Sequence, residues 1–207
     1  MTSKQPFIQS DINKYYIIEL GTTKLSLCKK IHFWINSFGL HCVAIYRLTK
    51  WANRIYKKNR VIGIVPLIIA SIPNYFLKAF YQVNLDAADI GPGFYIGHIG
   101  TISLSKSTIG SNFSIAHNVT LGIGHSEGKV GAPTIGNNVW IGCGSTITGD
   151  ITIGNNVAIS PGSIVSRSIP DNCLVAGNPA RVIMQNYDSK KLFPEALVFL
   201  SQESIPQ

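Results

Sequence analysis

The chain has 207 residues, 45% apolar and only 14% charged, which suffices for a packed core of one or two domains and excludes a disordered, charge-rich chain. The formal charge of +8 is uneven: residues 1–82 carry twelve Lys or Arg against two acids, net +10, while residues 83–207 carry six against eight, net −2. Cys28, Cys42, Cys143 and Cys173 form no C-x-x-C pair, so the pattern fits ordinary buried thiols in a reducing compartment rather than a disulfide or zinc framework.

Residues 1–24 are polar with isolated aromatics, and the first fifteen hold no apolar core of the kind a secretory leader needs. From Leu40 to Lys58 the spacing predicts a helix. Ile45, Leu48, Ala52 and Ile55 share one face, and Arg47, Lys50, Arg54, Lys57 and Lys58 share another. That basic face is either solvated or meets an anionic partner such as a bilayer surface, a lipid diphosphate or an acidic glycan. Nucleic acid is not indicated, because no binding motif accompanies the charge. Ile62 to Tyr81 predicts further helix broken at Pro66 and Pro73, and the apolar run Val61–Pro73 is too short to span a bilayer. Residues 1–82 are therefore expected to form a basic helical region. A cytoplasmic location follows, peripheral at the inner face of the membrane if the basic face meets lipid.

From Ile90 onward aliphatic residues recur every six positions: Ile90, Ile96, Ile102, Ile109, Ile115 and Leu121, then Ile135, Ile141, Ile147, Ile153, Ile159 and Val165. Period six is neither helical nor a simple strand alternation, and it is the signature of a stacked β-helix. Gly or Asn commonly follows the aliphatic, as in Ile135-Gly136-Asn137-Asn138, and both tolerate positive φ at a corner. Ile102 to Ile109 holds one extra residue. Leu121 to Ile135 holds about eight, predicting a loop over 123–134.

These repeats resemble the hexapeptide-repeat acyltransferases. The resemblance implies a mainly β fold, a left-handed parallel β-helix of about four to five coils over 83–183, preceded by the helical part and followed by a tail, 184–207, expected to form a short helix. A helical part leading directly into the coil resembles the serine acetyltransferase branch, which includes enzymes that acetylate cell-envelope polysaccharides. It implies acetyl-coenzyme A as donor, direct transfer without a metal, and a homotrimer.

Acyl transfer to a hydroxyl needs a base, and histidine has a suitable pKa. His98 and His117 each lie two residues after an inward Ile and nineteen apart, so they should stack at one outward corner of adjacent coils. His98, after Ile90-Gly-Pro-Gly, matches the catalytic position of the serine acetyltransferases, although Gly97 replaces their preceding Asp. His117 is similar to the catalytic position of amino-sugar N-acetyltransferases, and His125 to that of galactoside and xenobiotic acetyltransferases. Asp86, ahead of Asn84 and Asp89, is the choice for an orienting acid. The resemblance further implies that Trp140, Gly142, Gly144, Ser145, Ser160 and Gly162 line the coenzyme A groove, with backbone N–H groups around Gly142 to Gly144 facing the oxyanion. Arg181, in Ala176-Gly-Asn-Pro-Ala-Arg181-Val-Ile183, would reach coenzyme A phosphates.

For the acceptor, a cell-envelope saccharide is the leading expectation and serine the alternative. The D-R-H-P-like segment that contacts serine in that branch is Val130-Gly131-Ala132-Pro133 here, and the terminal Ile that docks cysteine synthase is absent. A γ-type carbonic anhydrase using three histidines on zinc and a non-catalytic trimer are further alternatives; the spacings of 19 and 8 between the histidines do not match the former.

Overall fold

The computed structural model describes residues 7–126 and 128–189; the tail from 190 lies outside the described residues, and with it most of the expected short helix. Four helices precede the coil: α1 (Phe7–Leu20), α2 (Leu27–Asn36), α3 (Phe38–Lys58) and α4 (Arg60–Tyr81). Five turns of β-helix follow. The first is β1 (Val83–Asn84), β2 (Asp89–Ile90) and β3 (Tyr95–Ile96), and the second β4 (Ile102–Leu104), β5 (Thr108–Ile109) and β6 (Ser114–Ile115). The third begins with β7 (Val119–Gly122), detours through β8 (Gly124–Ser126) and β9 (Lys129–Gly131), and resumes with β10 (Thr134–Ile135) and β11 (Trp140–Ile141). The fourth is β12 (Thr146–Thr148), β13 (Thr152–Ile153) and β14 (Ala158–Ile159). The fifth is β15 (Ile164–Val165), a bridge at Ile169 onto Ile153, and β16 (Cys173–Gly177), against which β17 (Ala180–Gln185) runs antiparallel.

Each of the first four turns contributes one strand to each of three parallel sheets; the fifth adds a strand to two of them and only the Ile169 bridge to the third. In two sheets the inward aliphatics stack as their spacing predicts: Ile90, Ile109, Ile135 and Ile153 in one, Ile96, Ile115, Ile141 and Ile159 in the other. All of these are at most 3% exposed, so the coil interior is a dry aliphatic column. At one corner Asn112, Asn138, Asn156 and Asn172 adopt φ of 56–58°. Their side-chain amides hydrogen-bond one to the next at 2.9–3.0 Å, and only Oδ1 of Asn112, at the end of the ladder, is buried without a partner among the described residues.

The first strand of the coil lies ahead of Ile90, the first repeated aliphatic: Val83 pairs with Ile102. Several expectations are corrected. In that sheet Leu121 stacks on Leu104, and Ile102 on Val119; strands long enough to turn two residues inward absorb the irregular spacing. The 123–134 loop is a β8–β9 hairpin pairing His125 with Val130. Helix α4 runs unbroken through Pro66 and Pro73. A proline removes the donor to the carbonyl four residues back, here those of Ile62 and Ile69, which are on exposed residues where the loss is least costly.

Polar residues with isolated aromatics form α1, yet its Asp11, Lys14, Tyr15 and Tyr16 are buried against the first turns. Lys14 Nζ donates to the Gly93 and Phe113 carbonyls, and the Tyr15 hydroxyl donates to the Ile96 carbonyl. Burial drives the Lys14 ammonium well below the usual lysine range. In α3 the buried residues are Leu40, Cys42, Val43, Tyr46, Thr49 and Ala52, so the packed face is rotated from the one expected and Leu48 is exposed. Arg47 consequently faces inward: its guanidinium pairs with Asp11 at 2.8 Å and donates to the Ile90 and Gly91 carbonyls. It cannot belong to a basic face that meets a partner. The helices and the coil share one hydrophobic core running from Tyr15 and Tyr46 to Phe94 and Phe113.

Candidate active site

The parallel register that pairs Ile96 with Ile115 carries forward two residues and brings His98 over His117. Their ring centroids are 5.8 Å apart at an interplanar angle of 75°, an edge-to-face contact. His98 is exposed and His117 half-buried. Nδ1 of His117 is enclosed and has no hydrogen-bond partner among the described residues. Gly100 makes room for the pair, since a Cβ there would stand 2.7 Å from Cβ of His117. Gly100→Ala is expected to cost about 1–3 kcal/mol of stability by overpacking and to displace His117. Denaturant melts and the His117 imidazole NMR signals check both effects.

The same register places Cys143 one turn beyond His117, on the Ile141 coil. Cys143 is half-buried and Cys28 exposed, so only Cys42 and Cys173 are the buried thiols expected. The two-residue offset that identified the histidines would have found Cys143 at this corner as well.

Asp86 is engaged elsewhere: one oxygen of its carboxylate takes Lys78 of α4 and the Asn74 amide. No hydrogen bond to a histidine is among its interactions. Glu19, at the end of α1, hydrogen-bonds Tyr95, and its carboxylate feels the His98 ring electrostatically. Burial raises the Glu19 carboxyl above its ordinary range, and Tyr95 and His98 oppose that rise. Burial, together with the Glu19 charge, pushes the Tyr95 hydroxyl far above the usual tyrosine range. Nothing local in the sequence marks Glu19, because it reaches the site only through the docking of α1.

The groove residues separate into two groups. Gly142 is buried, and a Cβ there would meet the backbone nitrogen of Pro161 at 2.5 Å, so packing of successive turns alone demands glycine. Its N–H donates to the Ile159 carbonyl, and that of Gly144 to the His117 carbonyl. Neither of these two N–H groups is free for an oxyanion. Ser145 is fully buried, and its hydroxyl donates to the Ser160 carbonyl, while the Ser160 N–H donates to Val175. Gly144 and Gly162, by contrast, are exposed with φ of +70° and +69°, and nothing crowds a Cβ at Gly162. They form an open step on adjacent turns beside Cys143, where a pantetheine-like chain can approach the backbone. Trp140 is half-buried on β11, between Ser114 and Ala158 of the neighbouring strands. Arg181 on β17 is exposed, its guanidinium bonded only to the Ala180 carbonyl among the described residues. His125 is exposed on the hairpin. Among the described residues no three His, Cys, Asp or Glu side chains cluster as ligands of one metal ion.

Residues 132–167 match the family described as bacterial transferase hexapeptide (six repeats). No curated protein matches the chain. Among solved structures, the chain is similar to Neisseria gonorrhoeae serine acetyltransferase at 26% identity and a TM-score of 0.68, covering 89% of this chain and 68% of that one. It is similar to the Brucella abortus strain S19 serine acetyltransferase in complex with coenzyme A at 29% identity and 0.66, covering 86% and 67%. It is also similar to soybean serine acetyltransferase complexed with serine at 29% and 0.64, covering 87% and 71%. The chain thus spans about two thirds of the length of these enzymes. A repeat match within the coil, five turns of parallel β-helix and this likeness agree: the chain carries bacterial transferase hexapeptide repeats and has the β-helix fold of the serine acetyltransferases it is similar to.

Proposed function

We propose that the chain is an acetyl-coenzyme A-dependent O-acetyltransferase working at the His98–His117 corner. The observation that supports it is this stacked pair beside the open Gly144–Gly162 step, on a coil similar along most of its length to serine acetyltransferases. His98, the exposed member, takes the proton of the acceptor hydroxyl as its oxygen attacks the thioester carbonyl. The carbon–sulfur bond then breaks, the ester forms, and the proton held on His98 passes to the departing coenzyme A sulfur. Arg181 offers a cation for the donor's phosphates. Aliphatic side chains left exposed on the coil and hairpin, such as Ile123, Val130 and Ile164, fit burial in a homotrimer. Light scattering at micromolar concentration is expected to give three times the chain mass, and a clean monomer would remove a neighbour's coil from the groove.

Serine is the acceptor that the comparisons favour, and they lend a saccharide no support. The saccharide remains a second reading because of two positions. At Gly97 a Cβ would have only ordinary contacts, the nearest being the Tyr95 ring at 3.4 Å, so packing leaves room for the aspartate that is missing. At Gly131 a Cβ would stand 2.8 Å from the Asp150 side chain, so no cationic side chain fits there. A carboxylate acceptor loses its strongest partner without that cation. Coenzyme A release measured with L-serine and with neutral saccharides decides between them. Serine turnover at least tenfold above every saccharide supports serine, and the reverse order supports a saccharide.

A further inference from the structure

Helix α4 lacks an apolar partner over most of its circumference. Between Val61 and Leu77 it carries no charged residue, and it buries only Gly63, Ala70 and Leu77. Those three repeat every seven residues and form a narrow stripe toward α3. Contact there is close, since a Cβ on Gly63 would stand 2.2 Å from Cα of Tyr56. The other faces expose Ile62, Val65, Ile68, Ile72, Tyr75 and Phe76, each more than half exposed. Even the Ser71 hydroxyl is turned back onto the helix, donating to the Ile68 carbonyl at 2.8 Å. Because it continues through both prolines, α4 reaches 22 residues and is by length and composition apolar enough to cross a bilayer, which corrects the expectation drawn from the shorter run Val61–Pro73. A helix apolar on every side belongs in an apolar medium.

Charge identifies that medium. From Phe38 to Tyr81 there are seven Lys or Arg and no Asp or Glu. Asp11 occupies Arg47 and Asp86 occupies Lys78. Arg54, Lys57, Lys58 and Arg60, clustered where α3 turns into α4, are exposed and have no acidic partner among the described residues. A second copy docking through α4 would cover only a stripe and, with no Asp or Glu from Phe38 to Tyr81, would bring these helices no acidic partner for the basic cluster. An anionic lipid surface matches the charge and surrounds the helix. Spanning is disfavoured, because one residue, Asn59, joins the helices and the basic turn would have to cross the hydrocarbon.

We propose that α4 lies in the surface of an anionic bilayer, its apolar flanks among the acyl chains and the α3–α4 turn among the phosphate headgroups. This assignment is independent of the acceptor and of the acyl-transfer chemistry. The test is flotation of the full chain with vesicles of phosphatidylcholine alone or mixed with phosphatidylglycerol. The chain is expected to float with the mixed vesicles and far less with phosphatidylcholine alone. Lys57→Gln/Lys58→Gln/Arg60→Gln is expected to weaken binding to mixed vesicles roughly a hundredfold. Ile68→Glu/Ile72→Glu is expected to abolish it, with unchanged circular dichroism and unchanged mass in solution. No flotation of the wild-type chain with mixed vesicles overturns the proposal. So does an equal loss of flotation and of oligomer mass in Ile68→Glu/Ile72→Glu, which would make α4 an interface between copies.

Discussion

His98→Ala is expected to lose about 10²–10⁴-fold in turnover while the chain still folds and binds coenzyme A. The hydroxyl of any acceptor is a poor nucleophile at neutral pH, so the loss is that of the group that removes its proton. His98 is the exposed ring of the pair, whereas His117 is half-buried with Nδ1 enclosed and unbonded among the described residues. His117→Ala should therefore act through its neighbour, lowering turnover roughly tenfold, well short of losing a base. His125→Ala, on the exposed hairpin, should raise KM for the acceptor more than it lowers kcat. If His117→Ala or His125→Ala abolishes turnover and His98→Ala does not, the base is misassigned.

Arg47→Ala is expected to be the most destabilising single change in the helical part, at about 3–5 kcal/mol. The Asp11 side chain is fully buried and Arg47 is only 12% exposed. Removing the guanidinium strands a buried carboxylate and leaves the Ile90 and Gly91 carbonyls without a donor. Burial already pushes the Asp11 carboxyl above its ordinary range in spite of Arg47. In a chain of this size the loss corresponds to roughly 10 °C in Tm. Asp11→Leu/Arg47→Met should be less destabilised than either single variant, because the uncompensated charge disappears with its partner. Thermal melts of the two single variants and the double variant check this. Equal, small effects at both positions would return Arg47 to the surface role that helical spacing suggested.

The coil was legible because its period is enforced by geometry: a residue that must point inward in every strand repeats visibly, and Ile96 and Ile115 carry His98 and His117 with them. Long strands blurred it, as at Ile102 and Leu104, where two residues in one strand face inward. The helices were read less well. Their buried faces are chosen by the first coil turns, and Arg47, Lys14 and Asp11 are inside only because coil carbonyls and amides receive them. Helical periodicity alone reads such residues as surface. Glu19 was invisible for the same reason, and the groove residues Gly142 and Ser145 were misread because stacking of adjacent turns demands small residues just as a ligand would.

The central claim is transfer of an acetyl group from coenzyme A to a hydroxyl oxygen. Incubation with acetyl-labelled acetyl-coenzyme A and an acceptor mixture of serine and neutral saccharides, followed by mass spectrometry before and after hydroxylamine, tests it directly. Label is expected on an acceptor, lost on hydroxylamine treatment as an ester must be, and absent with His98→Ala. Label that survives hydroxylamine as an amide, or no labelled acceptor at all from folded wild-type protein, would contradict it.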